Sequence, residues 1–270
     1  MQVTVLGPLT ATGSSSAASG NAAPVSTAPS ATKPKQVLAL LALRVNTVVS
    51  TPRLVDELWG TRPPKSAVVT LQTYVLRLRR LLTPLADVPI RSILTTAAGG
   101  YSLRLEPTQV DYECFRQRAS LGSDALAGGD VARAAALLHS ALSLWRGPAL
   151  ADVRVGRLLE THVTTMEQER LSVLEQRVDA DLRLGRHLGM LGELAGLTRE
   201  LPLHENLHAQ YMVALYQAGR RYQALEVFRQ LRCALAEELG LSPTGRVERV
   251  HQAILASDEV GSPLLELNRR

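Results

Sequence analysis

Residues 64–82, PKSAVVTLQTYVLRLRRLL, repeat their apolar positions with the period of an α-helix. On a helical wheel, Val68, Leu71, Val75, Leu78 and Leu82 fall on one side, with Tyr74 and Leu81 at its margin. Ser66, Val69, Thr73, Arg77 and Arg80 face the other way, flanked by Thr70, Gln72 and Leu76. Such a face suits the major groove of DNA. Small residues let the backbone approach, hydroxyl and amide groups read base edges, and arginines take guanine or phosphate. Read alone, the same segment is also an ordinary surface helix with solvated arginines.

The neighbouring segments favour the first reading. Lys35–Val45 (KQVLALLALRV) is apolar enough for a buried central helix. Ser50 is placed to cap TPRLVDELW, with Pro52 in the first turn and Gly60 as the stop. The connection GTRPPK cannot continue either helix, because its prolines forbid it. Ile90–Glu106 reads as a β-hairpin, with Tyr101, Leu103 and Leu105 alternating with Ser102 and Arg104 and Gly99-Gly100 at the turn. Three helices followed by a hairpin predict a winged helix-turn-helix with its third helix in the major groove.

Charge is distributed to match. Through Glu106 there are 11 Lys and Arg against 4 acids, a net +7, while the remainder carries −2. A basic excess confined to one part drives DNA binding through counterion release. The break in charge near residue 107 argues for two cores in the 270 residues. Aromatic residues are only 4%, which argues against a single-strand binder that stacks bases. Cys114 and Cys233 lack metal spacing and read as free thiols in a reducing cytoplasm. No apolar run reaches membrane-spanning length, so no membrane role is expected. MQVTVLGPL reads as a first strand, and Thr10–Thr32, nearly all small uncharged residues, as a flexible loop in which Val25 could belong to a short strand.

From Asp111 onward the pattern is helix after helix, broken at Gly128-Gly129, Gly147-Pro148, Gly185, Pro202, Gly219 and Gly240. Leu184-Gly185-Arg186-His187 and Ala218-Gly219-Arg220-Arg221 stand 34 residues apart, the tetratricopeptide period. A looser copy, AGGDVARAAALLHSALSLW, offers Ala132, Ala135 and Ala136 for close helix contact, and Arg157–Leu184 reads as one long helix or two continuous ones. Stacked helical pairs expose a broad surface for a protein partner.

His204-Glu205-Asn206-Leu207-His208 fits the zinc-protease pattern H-E-x-x-H, with Glu226 as a nominal third ligand. Pro202 puts His204 in the first helical turn, however, and Leu207 already gives the helix a packing role, so two solvated histidines are the expectation. No phosphate-binding loop and no G-x-S-x-G elbow occurs. The chain therefore reads as no enzyme, with no metal and no cofactor.

MQVTVLGPL, PKQVLALLAL, VDELWG, PPKSAVVTLQTYVLRLRRLL and GGYSL resemble the Streptomyces antibiotic regulatory protein (SARP) family, as do ALSLWRGPALADV, VALYQAGRRYQALEVFRQLR, LHENLHAQYMVALY and EELGLSP further on. The resemblance implies a transcription activator whose first half is an OmpR/PhoB-type winged helix. It implies that the second half is a tetratricopeptide-like bacterial transcriptional activation domain. Its expected partners are double-stranded promoter DNA carrying tandem direct repeats near the −35 element, RNA polymerase holoenzyme, and another copy of the chain. On the polymerase, the expected contacts are the sigma factor and the C-terminal domain of the alpha chain. Neither an ATPase module nor a phosphoacceptor receiver domain is expected.

The expected architecture is mainly α. A winged helix-turn-helix with small β-sheets occupies residues 1–106, including the loop at 10–32. An all-α tetratricopeptide-like domain follows at 107–258, and 259–270 is a tail. Gln72, Thr73 and Val69 are expected on bases, with Ser66 and Thr70 beside them. Arg77 and Arg80 are expected on guanine or phosphate, and Lys35, Lys65, Arg91 and Thr96 on the DNA backbone. The loop Thr61–Lys65 is a candidate polymerase-facing element. Residues 1 to about 106 are expected to bind DNA alone but to activate poorly. A helical-repeat adaptor whose basic module binds protein instead of DNA is the alternative reading.

Overall fold

The computed structural model describes residues 1–13 and 25–256. They pack as two compact units: Met1–Ser120 with Ser140–Leu171, and Leu121–His139 with the residues from Ser172 onward. The expected tail at 259–270 lies outside the described residues, as do positions 14–24 of the expected loop.

The first unit opens with a three-stranded antiparallel sheet, β1 (Gln2–Thr4), β2 (Thr10–Gly13) and β3 (Val25–Thr27), in that order. Thus Thr10–Gly13 is a strand, although its composition suggests loop, and Val25 belongs to a short strand as its residue type allows. Their backbones pair in register, Val3 with Ala11 and Ala11 with Thr27, so pairing compensates for side chains with little to bury. Helix α1 (Thr32–Ala42) is the buried centre: every residue from Gln36 to Ala42 is sealed from solvent. Strand β4 (Val49–Ser50) leads into α2 (Thr51–Trp59), for which Ser50 stands at the N-cap position but makes no side-chain cap. Helix α3 (Ala67–Leu82) follows the exposed connection Gly60–Ser66.

The expected hairpin is shorter than its sequence pattern. Ile90–Ile93 forms a helical turn, α4, and only β5 (Leu94–Ala97) and β6 (Gly100–Leu103) are paired strands. Strand β6 is central, with β4 on its other edge, so Ser102 is buried along with Tyr101 and Leu103 and the expected alternation is lost. Gly99 turns with φ 77°, and a Cβ on Gly100 would stand 2.2 Å from the Val49 carbonyl. Glycine is required at both for different reasons: conformation at one, close strand approach at the other.

Three carboxylates hold this unit together across long separations in sequence. Asp111 Oδ1 and Oδ2 accept the Val5 and Leu6 amides at 2.8 and 3.1 Å. Asp152 Oδ1 accepts the Leu9 amide at 2.7 Å. Glu57 on α2, only 3% exposed, accepts the amides of Gly156, Leu158 and Leu159 at 2.6, 2.9 and 3.1 Å. These last amides open helix α7 (Arg157–Arg183), where unpaired N–H groups and the helix dipole favour a negative charge. A Cβ on Gly156 would sit 2.4 Å from the Glu57 carbonyl, so the approach also needs glycine there.

The second unit is helical. It takes the end of α5 (Asp111–Ala127), most of α6 (Val131–Leu142), the later turns of α7, and α8 (His187–Glu200), α9 (Glu205–Gln217), α10 (Arg221–Leu239) and α11 (Gly245–Ala256). Helix α9 is buried along most of its length and packs on α8, α10 and α11. The repeat signal has a backbone counterpart. Gly185 N–H bonds the Leu182 carbonyl and Arg186 N–H that of Asp181; Gly219 bonds Tyr216 and Arg220 bonds Leu215 in the same pattern, 34 residues on. Gly129 and Asp130 repeat it with Leu126 and Ala125, which makes the looser copy a structural one. Of the three alanines expected to allow close contact there, Ala135 is fully buried, whereas Ala132 and Ala136 are exposed. Close approach also uses Gly122, where a Cβ would meet Leu138 at 2.8 Å.

Candidate nucleic-acid interface

Helix α3 buries Ala67, Leu71, Val75, Leu78 and Leu82 and leaves its opposite face open. Ser66, Val69, Gln72, Thr73, Arg77 and Arg80 are all exposed, and Thr70 is half-buried. Val68, expected in the apolar stripe, is instead 50% exposed, beside Val69 at 64%. At about 100° per residue it lies roughly 60° from the centre of the buried stripe, and the smaller Ala67 fills the inward position in the first turn. The Thr70 and Thr73 hydroxyls donate to the Ser66 and Val69 carbonyls at 2.9 and 3.1 Å, which leaves their oxygen lone pairs available as acceptors. Trp59 stacks on Tyr74, with ring centroids 6.3 Å apart, and fixes α2 against the inward edge of α3.

Arg79 is a residue whose role the sequence does not disclose. Its Nε and Nη2 donate to the Leu94 carbonyl at 3.0 and 2.7 Å, and Nη2 also donates to Thr96 Oγ1 at 2.8 Å. It ties α3 to β5, and burial followed by the nearby Arg91 lowers its pKa. Thr96, expected on the DNA backbone, thus accepts a hydrogen bond from Arg79. Lys35, also expected there, is 17% exposed and pairs its ammonium with Asp152. Lys65 and Arg91 are exposed. Only its partners in the fold mark Arg79; its position on the wheel, between the stripe and the open face, is neutral.

The H-E-x-x-H stretch is structural. His204 Nδ1 accepts the Leu207 amide as the N-cap of α9, and its Nε2 stands 3.0 Å from Glu175. His208 is not solvated as expected: it is 6% exposed, with Nδ1 3.1 Å from the His204 carbonyl, and burial lowers its pKa. Among the described residues no group of His, Cys, Asp and Glu is placed to hold a metal ion, and no helix is long and apolar enough to cross a membrane.

Comparison with known proteins agrees with this geometry. Residues 28–103 match the family described as "Transcriptional regulatory protein, C terminal", and residues 110–255 match "Bacterial transcriptional activator domain". The chain is 46% identical over 262 residues to regulatory protein DnrI of Streptomyces peucetius, spanning 96% of this chain and 93% of that one. It is 38% identical over 230 residues to the transcriptional regulator RedD of Streptomyces coelicolor, spanning 84% of this chain and 65% of that one. A solved structure of EmbR from Mycobacterium tuberculosis, in complex with a low-affinity phosphopeptide, superposes with a TM-score of 0.88 at 27% identity, covering 99% of this chain and 68% of that one. The matched families are families of transcriptional regulators, not of enzymes, and they set the adaptor reading aside. A basic winged helix joined to an activator domain, with such relatives, places the chain in the Streptomyces antibiotic regulatory protein family of DNA-binding transcriptional activators.

Proposed function

We propose that the chain activates an antibiotic biosynthesis gene cluster by binding tandem direct repeats close to the −35 element, two or more copies side by side, and recruiting RNA polymerase. The open face of α3 supports this reading most directly. It presents amide, hydroxyl and guanidinium groups from a helix whose other side is locked in a core. Gln72 and Thr73 contact base edges, and Val68 and Val69 meet thymine methyl groups. Arg77 and Arg80 take guanine or phosphate, and Lys65 and Arg91 hold the backbone. Lys35 serves instead to position the interface, through Asp152, while the exposed Thr96 accepts from Arg79 and keeps its hydroxyl proton for a phosphate oxygen. The exposed connection Thr61–Lys65 lies just before the recognition helix and faces the polymerase, where the sigma factor and the C-terminal domain of the alpha chain are the contacts. The helical half supplies the rest of the activating surface, and the protein works in the cytoplasm, where the promoter is.

Footprinting at the promoters of the chain's own gene cluster tests the reading. The expected result is protection of two repeats spaced by whole helical turns, and transcription in vitro that depends on them. Absence of a protected repeat at low and moderate salt would overturn it.

A further inference from the structure

Lys33, in the first turn of α1, reaches the end of α2. Its ammonium donates to the Leu58 carbonyl and stands 4.6 Å from the centre of the Trp59 ring. The segment that leads into α7 arrives at the same place. Gly156 N–H donates to Glu57 at 2.6 Å, the Arg157 guanidinium meets Asp56 at 3.1 Å, and Arg154, just before them, is exposed. All of these residues belong to the first unit. Burial and then the charge of Arg154 lower the pKa of Lys33, so the two cations are close enough to repel. The carboxylates of α2 and of residues 151–157 are engaged elsewhere: Asp56 by Arg157, Glu57 by three amides, Asp152 by Lys35 and the Leu9 amide. Neither Lys33 nor Arg154 has an ion-pair partner among the described residues. The Lys33 ammonium spends one of its three N–H groups on Leu58, and the Arg154 fork spends none on the fold.

Trp59 links this pair to the open face of α3 by stacking on Tyr74. On the wheel of α3, Tyr74 and Arg79 stand on opposite flanks, roughly 60° and 80° from the centre of the buried stripe. The Arg79 flank leads to β5, and the Tyr74 flank leads through Trp59 to Lys33. A helix about 10–12 Å across fills a major groove about 12 Å wide, so the phosphates of the two DNA strands lie along its flanks. We propose that Lys33 and Arg154 grip phosphates of the DNA strand beside the Tyr74 flank of α3, on the side away from the β5–β6 hairpin. A phosphate set against both cations relieves their repulsion, and the planar fork of Arg154 suits its oxygens. The proposal rests on the DNA-binding reading of α3 and extends it. Arg154 lies within residues 110–255, which match the activator domain, so that segment supplies a DNA contact of its own.

The test measures binding of the full chain by fluorescence anisotropy across a range of salt, with a duplex from the promoter of its own gene cluster and with a random duplex. Arg154 carries the test, because Lys33 also holds Leu58 and Trp59 in the fold. Arg154→Ala should keep the thermal unfolding midpoint of the parent chain, since its segment is held through the Gly156 and Leu158 amides. It should reduce the slope of log affinity against log salt by about 0.9 on both duplexes, the loss of one phosphate contact. Arg154→Lys should restore the slope. An unchanged slope for Arg154→Ala, with the parent chain binding normally, overturns this proposal and leaves the reading of α3 standing. Absence of salt-dependent binding by the parent chain removes both together. Unchanged DNA binding with reduced transcription by RNA polymerase also overturns it, and makes Arg154 a contact to an acidic protein surface.

Discussion

The two compact units secure their carboxylates in different ways. In the first, Glu57, Asp111 and Asp152 bind main-chain amides roughly a hundred residues or more away, at strand ends and at the start of α7. In the second, Asp179 and Asp181 bind the side chains of Arg183 and Arg177 one helical turn away, and Asp181 also meets Arg186 and His139. A backbone amide cannot swing to a new partner, so each clamp in the first unit locks one segment's position against another. Side-chain pairs along a helix adjust locally and constrain far less. The unit that presents α3 is therefore built for fixed placement, as the proposed sequence readout requires, while the helical unit gains stability turn by turn as repeats do.

The largest expected effect breaks this contrast directly. Glu57→Ala leaves three amides without their acceptor in a dry site and is expected to cost about 3 kcal/mol. Hydrogen exchange on the full chain should then show lost protection in α2 and at the start of α7, while α8 to α10 keep theirs. Equal loosening of both units would erase the distinction. The clamps also revise what a fragment can do. A chain ending at residue 106, where the charge break lies, lacks Asp111, Asp152 and the amides that Glu57 binds, so it is expected to unfold, whereas residues 1–171 retain them all.

This contrast also explains how much of the fold is legible in the sequence. Periodicity is local, so α1, α2, α3 and the glycine turns at 185 and 219 can be read from their own residues. The outward face of α3 can be read for the same reason, apart from Val68 in its first turn. The strand at Thr10–Gly13 cannot, since its small residues carry no hydrophobic alternation and its pairing partners decide the matter, and that at Val25–Thr27 shows only as the possibility that Val25 raises. Nor can the roles of Glu57, Arg79 and Lys35: each is fixed by a group brought near only by the fold, at Gly156, Leu94 and Asp152.

Next in size are the effects at the open face. Gln72→Ala and Thr73→Ala remove groups that nothing in the first unit needs, so stability should hold while discrimination between the proper repeat and a point-mutated one falls by about 1–3 kcal/mol. Competition binding with matched and mismatched duplexes measures this. Equal losses on specific and random DNA would strip α3 of base readout and leave it a phosphate-binding surface.

The smallest effect is also the sharpest, because it compares two residues of one type. Lys65 is exposed in the connection before α3, whereas Lys35 has its ammonium on Asp152. If the first is a phosphate contact, Lys65→Ala should weaken binding to all sequences alike and reduce the slope of log affinity against log salt by about 0.9. Lys35→Ala should leave that slope unchanged and cost roughly 0–1 kcal/mol of stability, the ordinary worth of a partly exposed ion pair. A reduced slope for Lys35→Ala would mean that Asp152 releases it when DNA arrives, and the clamp would then be part of binding instead of part of the fold.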